Sequence, residues 1–281
     1  MDQTWLNQLP LPEPLTSWQP VSGGDINLAF RLQTATQTYF MKVQPQQPAS
    51  YFAHEINGLK QLGQAVNVPH PLFNGQIKGD AFLILNWLDE GHGAQADLGQ
   101  AVARLHQVHH DQFGFFENHH TKALVKDNSF NPSWADFYLH QRLEPEVATA
   151  VAAGRWNDWR NAHFKRMAAQ FVTDCQQRTI TPSLLHGDLW AGNFMFTADG
   201  TPTLIDPDAV FGDREFDLAM TTIFGGFRQA FYQAYQAAYP LDAGWQTRLP
   251  YYQFYYLCMH LILFGEGYGP AVDRILILEQ Y

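Results

Sequence analysis

The stretch HGDLWAGN, His186 to Asn193, sets an acid, a tryptophan and an amide between two apolar runs, Leu184-Leu185 and Phe194 to Phe196. Asp188 and Asn193 are five residues apart on what reads as a loop between strands, and a second acid, Asp206, follows the next strand-like run in LIDPD. Those types in that order suit phosphoryl transfer. Its metal bridges phosphate oxygens and needs hard oxygen ligands, while a separate carboxylate takes or orients the proton of the attacking hydroxyl. Asp188 is the candidate base, with Asn193 and Asp206 the candidate Mg2+ ligands. Taken singly, each also suits the plainer task of capping a turn or loop. The conjunction with HGD favours chemistry.

Transfer from a nucleotide also needs cationic help on the phosphates. Lys42, in YFMKV, is the only lysine before Lys60, and a lone charge on a strand among Phe40, Met41 and Val43 needs a reason. Glu55 is its natural partner. The alternative is an edge-strand lysine whose stem reaches water, with Glu55 on a solvated face. Upstream, VSGGDINLAF carries Gly23 and Gly24, where the absence of side chains lets backbone approach phosphates. The segment matches neither GxGxxG nor the Walker pattern, and a plain hairpin turn explains it as well.

The elements that must position these groups change character near residue 88. Before it, Ile26, Leu28, Phe30 and Leu32 alternate, TYFMKV is strand-like, and Ala81 to Trp87 is an apolar run rich in β-formers. Between them Ser50 is placed to cap a helix carrying Phe52, Ile56 and Leu59, with Gly63 as its stop. After the boundary, helical spacing runs from Gln95 to His109 and recurs over 134–142, 158–176, 216–223 and 228–239. Leu184 to Ile205 is the exception: strand, loop, strand, an Asp199-Gly200 turn, strand. The expected organisation is α+β, a small antiparallel-sheet lobe with one helix over 1–88 and a larger, mainly helical lobe over 89–281.

Composition narrows the function. With 281 residues, 46% of them hydrophobic and 15% aromatic, the chain has ample material for a core. A formal charge of −10 and only 17 scattered Lys and Arg leave no electrostatic footprint for nucleic acid or an anionic membrane. Cys175 and Cys258 lack metal-like spacing and read as buried thiols of a reducing compartment. The N-terminal MDQTWLNQLPLPEPL has no basic segment followed by an apolar one, and LCMHLILFGEG is too short and interrupted to span a bilayer, so a cytoplasmic location is expected.

With GGDIN, the Lys42 strand, Glu55, LHGDLWAGN, IDPDAVFGDREFDLAM, FGGF and HLILFGEGY in hand, the chain resembles the fructosamine kinase (ketosamine-3-kinase) family, within the aminoglycoside-phosphotransferase and protein-kinase-like superfamily. HGD alone would point only to that superfamily. The resemblance implies a two-lobed kinase-like fold and ATP-Mg2+-dependent phosphorylation of the 3-hydroxyl of ketosamines, a deglycation-type activity. It implies that Lys42 meets the nucleotide phosphates, Glu55 positions it, backbone around Asn86, Trp87 and Leu88 meets adenine, Asp188 acts on the sugar hydroxyl, and Asn193 and Asp206 hold metal. The acceptor, protein-bound or free, is expected near Phe224, His260 and Tyr268. Some members use a Cys after the paired glycines for redox control; here Asp25 stands there, and no such switch is expected.

Other residues keep two readings. Trp190 either packs against the sugar adduct or plugs the core behind the loop. Asp208 stands where the family usually has a small residue; it either adds a carboxylate near the metal or bonds the loop backbone. His186 is expected to stiffen the loop, and Glu215 and Asp217 to brace the helix that follows, Asp217 with a possible bond to the loop. His109-His110 and His119-His120 lack acids or cysteines at ligand spacing and read as solvated loop. LPYYQFYYLCMH reads as a buried helix. A kinase of amino alcohols or aminoglycosides, and a nucleotide-binding pseudokinase, stay open as alternatives; oligomeric state is not legible.

Overall fold

The structure, a computed structural model, describes residues 2–21, 27–120 and 125–278; Gly23, Gly24 and Asp25 lie outside the described residues. Along the chain run α1 (Gln3–Leu6), β1 (Ser17–Pro20), β2 (Leu28–Gln33), β3 (Thr38–Gln44), α2 (Ala53–Leu62), β4 (Pro71–Ile77) and β5 (Asp80–Asn86). Then come α3 (Gln95–His106), β6 (His119–His120), β7 (Val125–Lys126), α4 (Trp134–Tyr138), α5 (Glu144–Ala152), α6 (Asp158–Gln176) and β8 (Ser183–Leu185). The rest comprises β9 (Phe194–Phe196), β10 (Pro202–Leu204), β11 (Val210–Gly212), α7 (Glu215–Thr221), α8 (Gln229–Ala238), α9 (Trp245–Phe264) and α10 (Gly269–Leu278). They group into two compact units, Met1–Ala94 with Gly192–Pro207, and Gln95–Ala191 with Asp208–Tyr281.

In the first unit the alternating segments form a five-stranded sheet in the order β1-β2-β3-β5-β4, antiparallel throughout. One face buries Phe30, Leu32, Tyr39, Met41, Val43, Phe82 and Ile84 under Trp5 and Leu6 of α1, and the Trp5 indole N–H donates to the Ile77 carbonyl at 3.1 Å. Because side chains alternate across a strand, Lys42 is on the other face, opposite Ala29 and Leu83. Hairpin β9–β10 belongs here because Leu204 N–H donates to the Asn67 carbonyl and Gly91 N–H to that of Phe196, at 3.0 and 2.7 Å. Ser50 does not cap α2. A 3-10 turn, Ala49–Phe52, intervenes after Pro48, and α2 starts at Ala53 without a side-chain cap.

In the second unit α9 carries LPYYQFYYLCMH and buries Tyr251, Tyr252, Phe254, Tyr255, Tyr256 and Cys258. Aromatic hydroxyls there reach partners, as burial requires: Tyr138 donates to the Tyr251 carbonyl at 2.8 Å and Tyr252 to Asp213 at 2.6 Å. Helix α3 stops at His106, three residues short of expectation, and the Val108 carbonyl instead accepts the Leu184 N–H at 2.8 Å. Strand β8 pairs with β11, which shows no alternating pattern in the sequence, and not with the hairpin that follows it. His110 is not a solvated loop residue: its ring stacks on Phe130 and Phe211 at 4.6 and 4.8 Å. Among the described residues no helix is long and apolar enough to cross a membrane.

Candidate active site

In the first unit the strand lysine and the helix acid meet. Lys42 Nζ donates to Glu55 Oε1 at 2.7 Å and also to Asp206 Oδ1. Lys42 is buried, so the solvated-edge alternative fails. Burial works against its charge, but the carboxylates of Glu55 and Asp206 outweigh that and hold the ammonium above the ordinary lysine range. Asp206 adopts φ +53, a left-handed backbone rare for a non-glycine residue and a recurrent mark of functional sites. Asn193 ends a 3-10 turn with its side chain buried, and its carbonyl accepts the Ile205 N–H at 3.0 Å. The hairpin thus brings the two candidate metal ligands to the same end of β9 and β10. An amide oxygen and a carboxylate are the hard donors Mg2+ takes, and the Asp206 side chain keeps 37% exposure, so the set fits such an ion.

At the end of β5 Asn86 is fixed to His70, whose N–H donates to its Oδ1 at 2.5 Å. Trp87 follows with its indole on Asp89 at 3.0 Å and the Arg31 guanidinium 4.8 Å above its ring, and Leu88 is half-buried.

In the second unit the HGD loop is held at every backbone polar group of two residues. The Asp217 carboxylate accepts His186 N–H at 2.7 Å and Gly187 N–H at 2.8 Å. The His186 carbonyl accepts Asp208 N–H at 2.8 Å, and the Gly187 carbonyl accepts the Tyr256 hydroxyl at 3.0 Å. Burial, with Asp217 and Asp188 nearby, keeps the Tyr256 phenol far above its ordinary pKa and therefore a donor. His106 faces Asp217 at 3.1 Å and is itself bonded to Tyr235 at 2.8 Å. His186 is fully buried, and its Nδ1 accepts the Asp188 N–H at 3.3 Å, which puts its own proton on Nε2. Asp188 thus follows two residues whose backbone polar groups are all hydrogen-bonded.

Trp190 is 40% exposed, so it is not a core plug. Phe224, His260 and Tyr268 come together: His260 lies 4.9 Å from Phe224 and 5.0 Å from Tyr268, ring to ring. Phe264, which the sequence did not single out, joins them 5.3 Å from His260. Burial holds the His260 imidazole below its usual pKa, toward the neutral form. The Asp208 side chain has partners that neither reading named. It binds Lys126 and lies 2.7 Å from His119 Nδ1, so His119 is no solvated loop residue either. Tyr256, His106 and Lys126 carried no signal in the sequence, lying within an aromatic run, a helix face and a short polar segment.

The sheet with its buried lysine and the helical unit with its HGD loop define an α+β fold of the protein-kinase-like class. The pattern described as "Fructosamine kinase" matches residues 2–279, and the chain belongs to that family. It is 52% identical over 99% of both chains to the "Probable ketoamine kinase" of Lactiplantibacillus plantarum. It is 31% identical to the chloroplastic "Protein-ribulosamine 3-kinase" of Arabidopsis thaliana, over 93% of this chain and 82% of that one. An aminoglycoside phosphotransferase, APH(4)-Ia, superposes with a TM-score of 0.65 at 14% identity over 95% of each chain, which establishes the fold.

Proposed function

We propose that the protein transfers the γ-phosphoryl group of ATP to the 3-hydroxyl of a ketosamine, free or protein-bound. The observation that carries this reading is the buried Lys42 between Glu55 and an Asp206 of left-handed backbone. A cation buried with two acids, one of them strained, is costly as structure alone and suits phosphate binding. Residues 1–88 take the nucleotide-binding role and 89–281 the catalytic and acceptor-binding role.

In this mechanism Lys42, oriented by Glu55, neutralises phosphate charge, and backbone around Asn86, Trp87 and Leu88 receives the adenine. Asn193 and Asp206 would hold Mg2+, which supplies neutralisation of charge on the phosphate oxygens. Asp188 accepts the proton of the attacking hydroxyl, its aim fixed by the immobilised His186–Gly187 backbone. The same reading gives Gly23 and Gly24, outside the described residues, a role at the phosphates. Trp190 and the group Phe224, His260 and Tyr268 offer ring faces and one neutral imidazole to the sugar and its amine. Most of the rate arises from positioning and charge neutralisation.

The test is ADP release with ATP-Mg2+ across ribulosamine, erythrulosamine, fructosamine, choline and kanamycin. Turnover confined to the ketosamines is expected. Turnover of choline or kanamycin alone would assign the fold to another acceptor, and heat stabilisation by ATP-Mg2+ without any turnover would make the protein a nucleotide-binding regulator.

A further inference from the structure

Lys126 is buried in β7 and lies opposite His119 of β6 in the register of that short ladder. Both grip one carboxylate: Lys126 Nζ takes Asp208 Oδ2 and His119 Nδ1 faces Asp208 Oδ1 at 2.7 Å. Burial works against the Lys126 charge, yet Asp208 holds it above the ordinary lysine range. Below it lies the Tyr255 ring, 5.7 Å from Nζ. Glu146, on which the Lys126 charge also acts, has neither oxygen hydrogen-bonded and is pushed by burial far above the usual carboxyl pKa.

Asp208 is no ordinary loop residue. The ladder of β8 and β11 ends at Leu185 opposite Val210, and the Asp208 N–H donating to the His186 carbonyl extends it by one bond. The Asp208 carbonyl abuts Gly187 so closely that a Cβ there would collide with it. A force on the Asp208 side chain therefore acts on the backbone that aims Asp188. We propose that Lys126 is a positioning residue, which, with His119, clamps Asp208 so that its backbone fixes the His186–Gly187 segment; this rests on the reading of Asp188 as base. Without Lys126 the largely buried Asp208 carboxylate loses a charged partner and shifts, drawing the loop backbone with it.

The experiment compares Lys126→Met, Lys126→Arg and Asp208→Asn in the full chain, by steady-state kinetics on a ketosamine and by amide hydrogen exchange. For Lys126→Met, kcat per folded molecule is expected to fall on the order of tenfold to a hundredfold, the scale of a small misplacement of reacting groups. Both KM values stay unchanged, and Lys126→Arg recovers most of the loss. Exchange at His186 and Gly187 should accelerate in Lys126→Met and Asp208→Asn while that of α9 does not. An unchanged kcat, a loss expressed in KM, or an arginine no better than methionine overturns the proposal. The exchange arm needs no turnover, so it judges the clamp even if the ketosamine reading fails: unchanged protection at His186 and Gly187 in Asp208→Asn, should the lysine variants not fold, overturns it as well.

Discussion

The carbonyl oxygen of Asp208 occupies the space a side chain at Gly187 would need, and Gly187 has φ +82, so this glycine is required twice over. Gly225 supplies the contrast, with φ +76 and nothing within 4 Å of a built Cβ. Gly225→Ala should cost only the strain of a left-handed alanine, about 1–2 kcal/mol. Gly187→Ala adds a backbone collision and should lower stability further, or prevent folding. Urea denaturation of both variants checks the order, and equal costs would contradict the packing described.

Asp188→Ala should reduce kcat by about a hundredfold to ten-thousandfold, the range for loss of a general base. ATP affinity and melting temperature should stay close to the parent, since the backbone of His186 and Gly187 is held by Asp217, Asp208 and Tyr256. Isothermal titration with an ATP analogue beside turnover separates the two, and undiminished turnover removes Asp188 from the role.

Glu55→Gln leaves Lys42 with Asp206 as its one charged partner among the described residues. A stability loss of about 1–3 kcal/mol is expected from the weakened buried hydrogen bond. The larger effect should be on KM for ATP, because Lys42 would then be drawn toward Asp206. A variant altered in kcat alone would point to a different task for the pair.

Glu146 gives a pH signature. Burial holds its folded-state pKa far above the ordinary glutamate value, so in the window above that value the native state keeps a proton the unfolded chain has lost. Stability from this group is therefore full below the unfolded pKa and falls as pH rises. Glu146→Gln, a neutral mimic of the protonated acid, should be more stable than the parent at pH 8, by a margin that shrinks toward pH 5. Denaturation at both values reads it, and a constant margin would show that Glu146 does not titrate in this way.

The sheet was legible because Leu28, Phe30 and Leu32 alternate, and Lys42 was legible because a charge among them is anomalous. The partner of β8 was not, since Val210–Gly212 is too short and too uniformly buried to show a period. The end of α3 was misjudged for a related reason: helical spacing persists to His109, but Val108 is claimed by pairing with Leu184, a contact from a distant part of the chain. In the candidate site the acids and the amide announced themselves by spacing. The groups that hold the loop did not, because Tyr256 and His106 look like core residues, and their hydrogen bonds to Gly187 and Asp217 join remote segments.

The compact unit that contains the sheet is assembled from two stretches of chain, and Asp206 lies 164 positions beyond Lys42. During synthesis, with the N-terminal part emerging first, Lys42 has Glu55 but lacks its second carboxylate until residue 206 of 281 has been added. Closure of so long a loop is slow and entropically costly. The nascent chain therefore acquires its buried lysine early and its full counter-charge late, so the Lys42 cluster is complete only after helices α3 to α6 have been made.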